Sequence, residues 1–230
     1  MKICNDTIAV LKNFSNINSN LKIEPGSVLK TIAPASVLLS IANVPETFSV
    51  ECGIWDLKQF LNTLSSFNEP ELDFRDQYVL ITSGGTSVKY FYSDTSSFTK
   101  IPKKVLLPET QVTVNVSAET LKLLREVSST LKFDLACFVA NEEGIFLTSM
   151  DSKTADSTSN RFSHRLADNT NNLVFELRME LANMKFLDGA YNVEISCLKG
   201  MKFLHTTKPI EYVVALGADS TWNGETLKNQ

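Results

Sequence analysis

Apolar and polar positions alternate at Phe48, Val50, Cys52 and Ile54, at Val112, Val114 and Val116, and at Leu173, Phe175 and Leu177. A period of two marks a strand with one buried face. Each run passes almost without a loop into a stretch whose apolar residues recur at three- and four-residue spacing, the period of an amphipathic helix. The helices so predicted are Trp55–Ser66, Ser117–Ser129 and Met179–Leu187, and a short opening run, Met1–Cys4, precedes a further one at Asn5–Ile17. The periodicity assigns Ile8, Leu11 and Phe14 to the buried side of the first helix, and Leu57, Phe60, Leu61 and Leu64 to that of the second. In the third it selects Leu121, Leu124, Val127 and Leu131, and in the fourth Leu181 and Met184. Ser117 is a fitting N-cap with Glu119 in the first turn, and Gly189 stands where a glycine closes the fourth helix.

This strand-to-helix step recurs with a unit of about 50–60 residues, too long for a solenoid of helix pairs and suited to several further strands per unit. Those strands are predicted at Leu72–Arg75, Tyr78–Thr82 and Val88–Tyr92, joined by Asp76-Gln77 and Gly84-Gly85. In the second half they are Phe133–Ala140 and Gly144–Ser149 around Asn141-Glu142-Glu143, then Tyr191–Cys197, Met201–Thr206 and Tyr212–Leu216, with Gly200 as a turn. Ile101–Thr110, preceded by Lys100, brings prolines and lysines without periodicity and reads as a linker. The expected organisation is α+β: a domain over 1–100, a linker over 101–110 and a similar domain over 111–230, each with antiparallel sheet and two helices. Met150–Asn160, rich in Ser, Thr and Asp, reads as a solvated loop.

Charge narrows the function classes. The 22 Lys and Arg against 26 Asp and Glu give a net charge of −4, so bulk positive charge cannot coat nucleic acid, although a local basic surface remains open. No apolar stretch approaches the roughly 18 residues of a membrane span, and the opening residues do not resemble a signal peptide. Cys4, Cys52, Cys137 and Cys197 stand far apart without CxxC spacing; the last three fall in apolar register, as buried reduced thiols do. An intracellular chain is expected. No phosphate-binding glycine loop, nucleophile elbow or metal-ligand spacing occurs, and His164 in Arg161–Arg165 has no marked partner, so neither catalysis nor a cofactor is expected.

Each predicted helix turns at least one cation outward: Lys12, Lys58, Lys122 with Arg125, and Lys185. Acids gather near the helix starts, at Asp6, Asp56, Glu119 and Glu180, where they suit the dipole. For any single helix this is an ordinary solvated face. Repeated over four helices of an acidic chain, it describes a thin basic surface that meets phosphates without reading bases. No recognition face rich in Arg, Asn and Gln, and no aromatic platform with interleaved cations, accompanies it.

The chain resembles the sliding clamps of T-even-type bacteriophages, the processivity factors of their replicative DNA polymerases. The residues that carry the likeness are Asp6-Thr7, Leu11-Lys12-Asn13-Phe14 and Ile17-Asn18-Ser19 at the start, then Asp56-Leu57 with Phe60-Leu61, Leu123-Leu124-Arg125 and Ala182-Asn183-Met184-Lys185. Tyr212–Leu216 and Ala218–Thr221 close it. The resemblance implies two similar clamp domains per chain and a head-to-tail homotrimer forming a pseudo-sixfold ring, with sheet outside and helices lining the hole. It implies that Lys12, Lys58, Lys122, Arg125 and Lys185, and also Lys2 and Lys132, face duplex DNA without sequence preference. It further implies a partner-peptide pocket by the linker and the last strand, formed by Val105, Leu106, Leu107, Tyr212, Val214 and Leu216; packing of these residues on their own domain is the alternative. Expected partners are the replicative polymerase, an ATP-dependent clamp loader, further copies of the chain and late-transcription factors, in the cytoplasm of an infected bacterium and without a membrane. The competing reading is a β-rich viral structural or assembly protein that encircles nothing.

Overall fold

The computed structural model describes residues 1–102, 110–153, 159–196 and 200–227. It divides into two compact units, Met1–Lys103 and Lys104–Gln230, both built of antiparallel sheet and short helices.

The first unit opens with an extended segment in which the Met1 amino group donates to the Leu72 carbonyl at 2.6 Å and Leu72 N–H donates back to Met1; the opening run makes no longer strand. Helix α1 (Asn5–Ile17) buries Thr7, Val10, Leu11, Asn13, Phe14 and Ile17. Strand β1 (Leu21–Ile23) pairs with β4 (Cys52–Ile54), and β2 (Gly26–Ile32) with β3 (Leu38–Phe48). The alternation from Phe48 to Ile54 is thus two strands interrupted at 49–51. Helix α2 (Leu57–Ser65) starts at Asp56, whose carboxylate accepts the Gln59 N–H at 2.9 Å, and it buries Leu57, Phe60, Leu61 and Leu64, as its periodicity predicts. A three-stranded meander follows: β5 (Glu71–Phe74), β6 (Tyr78–Ser83) and β7 (Thr86–Phe91). Its second turn opposes Ser83 to Thr86 around Gly84 and Gly85, both at positive φ (52° and 86°), the backbone that a two-residue hairpin loop requires.

The second unit repeats this order. Strand β8 (Val112–Val116) leads into α3 (Ala118–Leu131), where Ser117 caps the Thr120 N–H at 3.1 Å. Strands β9 (Leu135–Asn141), β10 (Gly144–Met150), β11 (Arg161–Ala167) and β12 (Phe175–Glu180) follow. A three-residue 3₁₀ turn, Leu181–Asn183, then precedes β13 (Tyr191–Ile195), β14 (Gly200–His205) and β15 (Ile210–Ala215). A terminal hairpin, β16 (Thr221–Trp222) with β17 (Glu225–Thr226), extends one sheet in the order β11-β10-β9-β12-β16-β17, and Trp222 stacks on Phe175 at 4.8 Å. Strands β8, β13, β14 and β15 are neighbours in another. Phe138 of β9 meets Phe203 of β14 at 6.0 Å, which locates the core between the two sheets.

The expected fourth helix, Met179–Leu187, does not form. Strand β12 claims Met179 and Glu180 through pairing with Ala136 and Leu135, and Leu181 N–H still donates to Asp134. Beyond the turn, Phe186 is buried against Tyr191, Phe203 and Tyr212 at centroid distances of 5.7, 4.6 and 4.9 Å. Burying that ring keeps the backbone out of the helix that would turn it away. Gly189 therefore closes no helix, and Gly200 is the first residue of β14. On α3 the buried set is Thr120, Leu121, Leu124 and Ser128, while Leu131 is exposed. Ser128 satisfies its hydroxyl on that of Ser149 at 2.7 Å, so it lies comfortably where the pattern expects an apolar residue.

Candidate nucleic-acid interface

In the first unit α1 and α2 pack side by side. Each buries its apolar stripe, so the polar stripe of each must face outward, and there Lys12 and Lys58 are exposed. Among the described residues neither makes an ion pair. Lys2 is also exposed, but its ammonium lies 2.8 Å from Glu69. The hydrogen bond and charge of Glu69 raise the Lys2 pKa, and the same contacts lower that of Glu69.

The second unit presents its cations differently. Lys122 is exposed on α3 with Glu126 one turn on, at a loose 3.8 Å. Arg125 is half-buried and paired with Asp188 at 2.8 Å. Lys132, at φ 58°, is the left-handed residue that ends α3, and it is exposed. Lys185 is exposed on the irregular stretch after the 3₁₀ turn, not on a helix. The Arg125 contacts to Asp188 and the Phe186 carbonyl bring that stretch alongside α3. Sheet-backed helices thus carry cations in both units, and long aliphatic stems on a solvated face can hold phosphates without fixing a base sequence.

Burial pushes the Cys52 and Cys137 thiols up to about 12, which leaves them unreactive at neutral pH. Among the described residues no group of three His, Cys, Asp or Glu side chains could hold a metal ion. His164 has found a partner, Thr120 Oγ1 at 3.2 Å, a contact that ties α3 to β11. No helix among the described residues is long and apolar enough to cross a membrane.

Tyr212 and Val214, expected to line a partner-peptide pocket, are 0% exposed and belong to the core, because alternate residues of β15 face inward; they offer a peptide no surface. Leu216 is half-buried just past that strand. Val105, Leu106 and Leu107 lie outside the described residues. The first unit instead has a 580 Å³ cleft, lined among others by Lys30, Val28, Phe98, Ile101 and Pro102. The signal that could have found it is Phe98 followed by Ile101-Pro102, apolar residues with no periodic element to join.

The chain is 30% identical over 229 residues to the sliding clamp of Enterobacteria phage T4, covering 96% of this chain and 99% of that protein. It is 29% identical to that of Escherichia phage RB69 over 228 residues (96% and 99%), and 27% identical to that of Vibrio phage KVP40 over 222 residues (95% and 100%). Among solved structures, the Archaeoglobus fulgidus PCNA bound to a C-terminal region of FEN-1 matches with a TM-score of 0.66 at 16% identity, over 93% of this chain and 96% of that one. The Caulobacter crescentus pol III beta matches with a TM-score of 0.67 at 12% identity, over 94% of this chain and 66% of that one. No protein-family model matches. With an α+β clamp fold, outward cations on its helices, and likeness along nearly the whole length of three curated relatives, the chain belongs to the sliding-clamp family of T-even-type bacteriophages and is a DNA sliding clamp, a processivity factor for a polymerase.

Proposed function

We propose that three copies close head to tail into a ring around duplex DNA, with Lys12, Lys58, Lys122, Lys132 and Lys185 toward the phosphates and Lys2 at the margin. The observation that carries this reading is that sheet-backed helices of both units expose cations although the whole chain carries −4. Encirclement supplies retention by topology, so contacts need only centre the duplex. Lysines are suited to that: each is a mobile point charge that exchanges phosphates, often through water. Charges are screened within about 8 Å at physiological salt, so only cations on the inner wall matter. The acidic remainder discourages adhesion to other DNA.

Two free strand edges support head-to-tail assembly. Among the described residues β7 pairs only with β6, and β11 only with β10. Unpaired edges invite pairing with another chain. Phe91 is exposed at the end of β7; Leu123, one turn beyond the Thr120 that touches β11, is exposed on α3. A β7 edge on a neighbour's β11 edge is heterologous, and such contacts close when the rotation per copy returns to the start.

The ring tethers a replicative polymerase and is opened by an ATP-dependent loader, so the chain itself needs neither catalysis nor a cofactor. Late-transcription factors are a further partner class, and the site of action is the cytoplasm of the infected bacterium. A hydrophobic partner peptide docks by the linker; the candidates are the Phe98–Pro102 cleft of the first unit and, as the resemblance implies, Val105, Leu106, Leu107 and Leu216. Reversing Lys12, Lys58 and Lys122 to Glu tests the central reading. Loader-dependent synthesis of long products should be lost while the mass in solution stays that of the wild type. Unchanged synthesis would favour the assembly-protein reading instead.

A further inference from the structure

Arg125 differs from the lysines around it. Its side chain is 36% exposed, Nη1 donates to Asp188 Oδ1 at 2.8 Å, and Nη2 donates to the Phe186 carbonyl at 3.3 Å. The partner carboxylate is 96% exposed, so it is not there to satisfy a buried charge.

Asp188 is held in place by its backbone. Phe186 is anchored in the aromatic core, and Leu187 N–H donates to the Tyr212 hydroxyl at 2.9 Å while its carbonyl accepts from the Tyr191 hydroxyl. The Asp188 carbonyl lies 3.1 Å from His205 Nε2. His205 Nδ1 accepts the N–H groups of Thr207 and Lys208, at 3.2 and 3.1 Å, which leaves the ring proton on Nε2 to donate to Asp188. Gly189 makes this approach feasible. Its φ is +151°, and a Cβ there would lie 2.2 Å from His205 Nε2. Residues 186 to 188 are thus each fixed by a named contact, and what the segment presents to solvent is one carboxylate set against the guanidinium of α3.

A guanidinium grips phosphate with a planar fork, a contact stronger and more directional than that of a lysine. On a wall that DNA slides past, such a grip is a site of friction. We propose that Asp188 is a built-in competitor for the phosphate backbone, occupying the Arg125 fork so that passing DNA is handled by lysines. This rests on the DNA-facing reading of α3. Asp188 and the loop that carries it act as positioning elements for that surface.

The test is a double-mutant cycle of Asp188→Asn and Arg125→Gln in the full-length chain, measuring affinity for a short linear duplex across a salt series, with thermal unfolding as a control for folding. D188N should tighten binding roughly two- to five-fold at low salt, the range of an exposed ion pair, and steepen the slope of log K against log salt by about 0.9, one added phosphate contact. R125Q alone should weaken binding only modestly, because the fork it removes is already occupied, and the double variant should lose the gain. An equal gain from D188N in the R125Q background would mean generic charge removal and overturn the inference; so would no gain at all, or a large loss from R125Q alone. If the Lys12, Lys58 and Lys122 reversal leaves duplex binding unchanged, the DNA-facing reading fails with it. If that reversal abolishes binding while the cycle is additive, only the role of Asp188 fails.

Discussion

The two units follow one order of elements but finish their helical side differently. The first has a pair, α1 and α2, with Lys12 and Lys58 in no ion pair among the described residues; the second has α3 and, in place of a partner helix, a 3₁₀ turn with an irregular stretch that sets Asp188 on Arg125. The difference shows that a surface of a given charge can be built from helices or from irregular backbone, provided something rigid lies behind it. In the first unit the rigid backing is the apolar stripe of each helix. In the second it is the buried Phe186 ring together with the hydrogen bonds of Tyr191, Tyr212 and His205 to the segment.

The largest effect expected from breaking this comparison is therefore at Phe186. Phe186→Ala should cost about 3–5 kcal/mol, as deletion of a buried aromatic ring does, read from the midpoint of denaturant unfolding. It should also loosen the Asp188 segment, whereas Phe60→Ala, equally costly in α2, should leave that segment intact. Hydrogen exchange at Leu187 and Asp188 distinguishes the two.

Next come the helix starts. At α1 the cap is remote: the Glu46 carboxylate of β3 accepts the Cys4 N–H at 2.6 Å and the Thr7 hydroxyl. At α3 it is the local Ser117 hydroxyl. Burial acts to raise the Glu46 pKa, but the Thr7 and Cys4 hydrogen bonds prevail and hold it below the usual glutamate value. A carboxyl with a depressed folded-state pKa stabilises the fold above its unfolded value, near 4.5, and that contribution is lost as pH falls through the folded value. Glu46→Gln should destabilise by about 1–3 kcal/mol at pH 7, and the deficit should shrink toward pH 3. Ser117→Ala should cost about 1 kcal/mol, with no such shrinkage. Unfolding curves at pH 7, 5 and 3 check both.

The same contrast explains which parts were legible in the sequence. Leu57, Phe60, Leu61 and Leu64 are the whole buried face of α2, and one period describes them. The hairpins around Gly84-Gly85 and Glu142-Glu143 follow from turn chemistry. Strands β1, β2 and most of β3 were not legible, because Pro25, Gly26, Pro34 and Pro45 punctuate the stretch like loops. Pro45 is tolerated in β3 where the register with β2 shifts between Gly26 and Val28. The fourth helix was misread because Leu181 and Met184 fit a helical spacing, while Met184 and Phe186 equally fit a strand-like one, and only the aromatic partners at 191, 203 and 212 decide between them. Of the interface, the cations were visible but their partners were not: Asp188 lies 63 residues from Arg125 in the chain.

The smallest effect on stability belongs to the exposed lysines. Lys12→Ala or Lys58→Ala should shift unfolding by less than about 0.5 kcal/mol while weakening affinity for a short linear duplex. A loss of stability without a loss of duplex affinity would reverse the roles assigned here.

The central claim is that retention is topological. The chain should be loaded onto a nicked circular duplex with an ATP-driven loader, and the circle then cut once to give free ends. Encirclement predicts that protein retained on the circle departs within the time needed to slide off a linear end, and stays if the ends are blocked. Persistence on the open-ended linear duplex would contradict it.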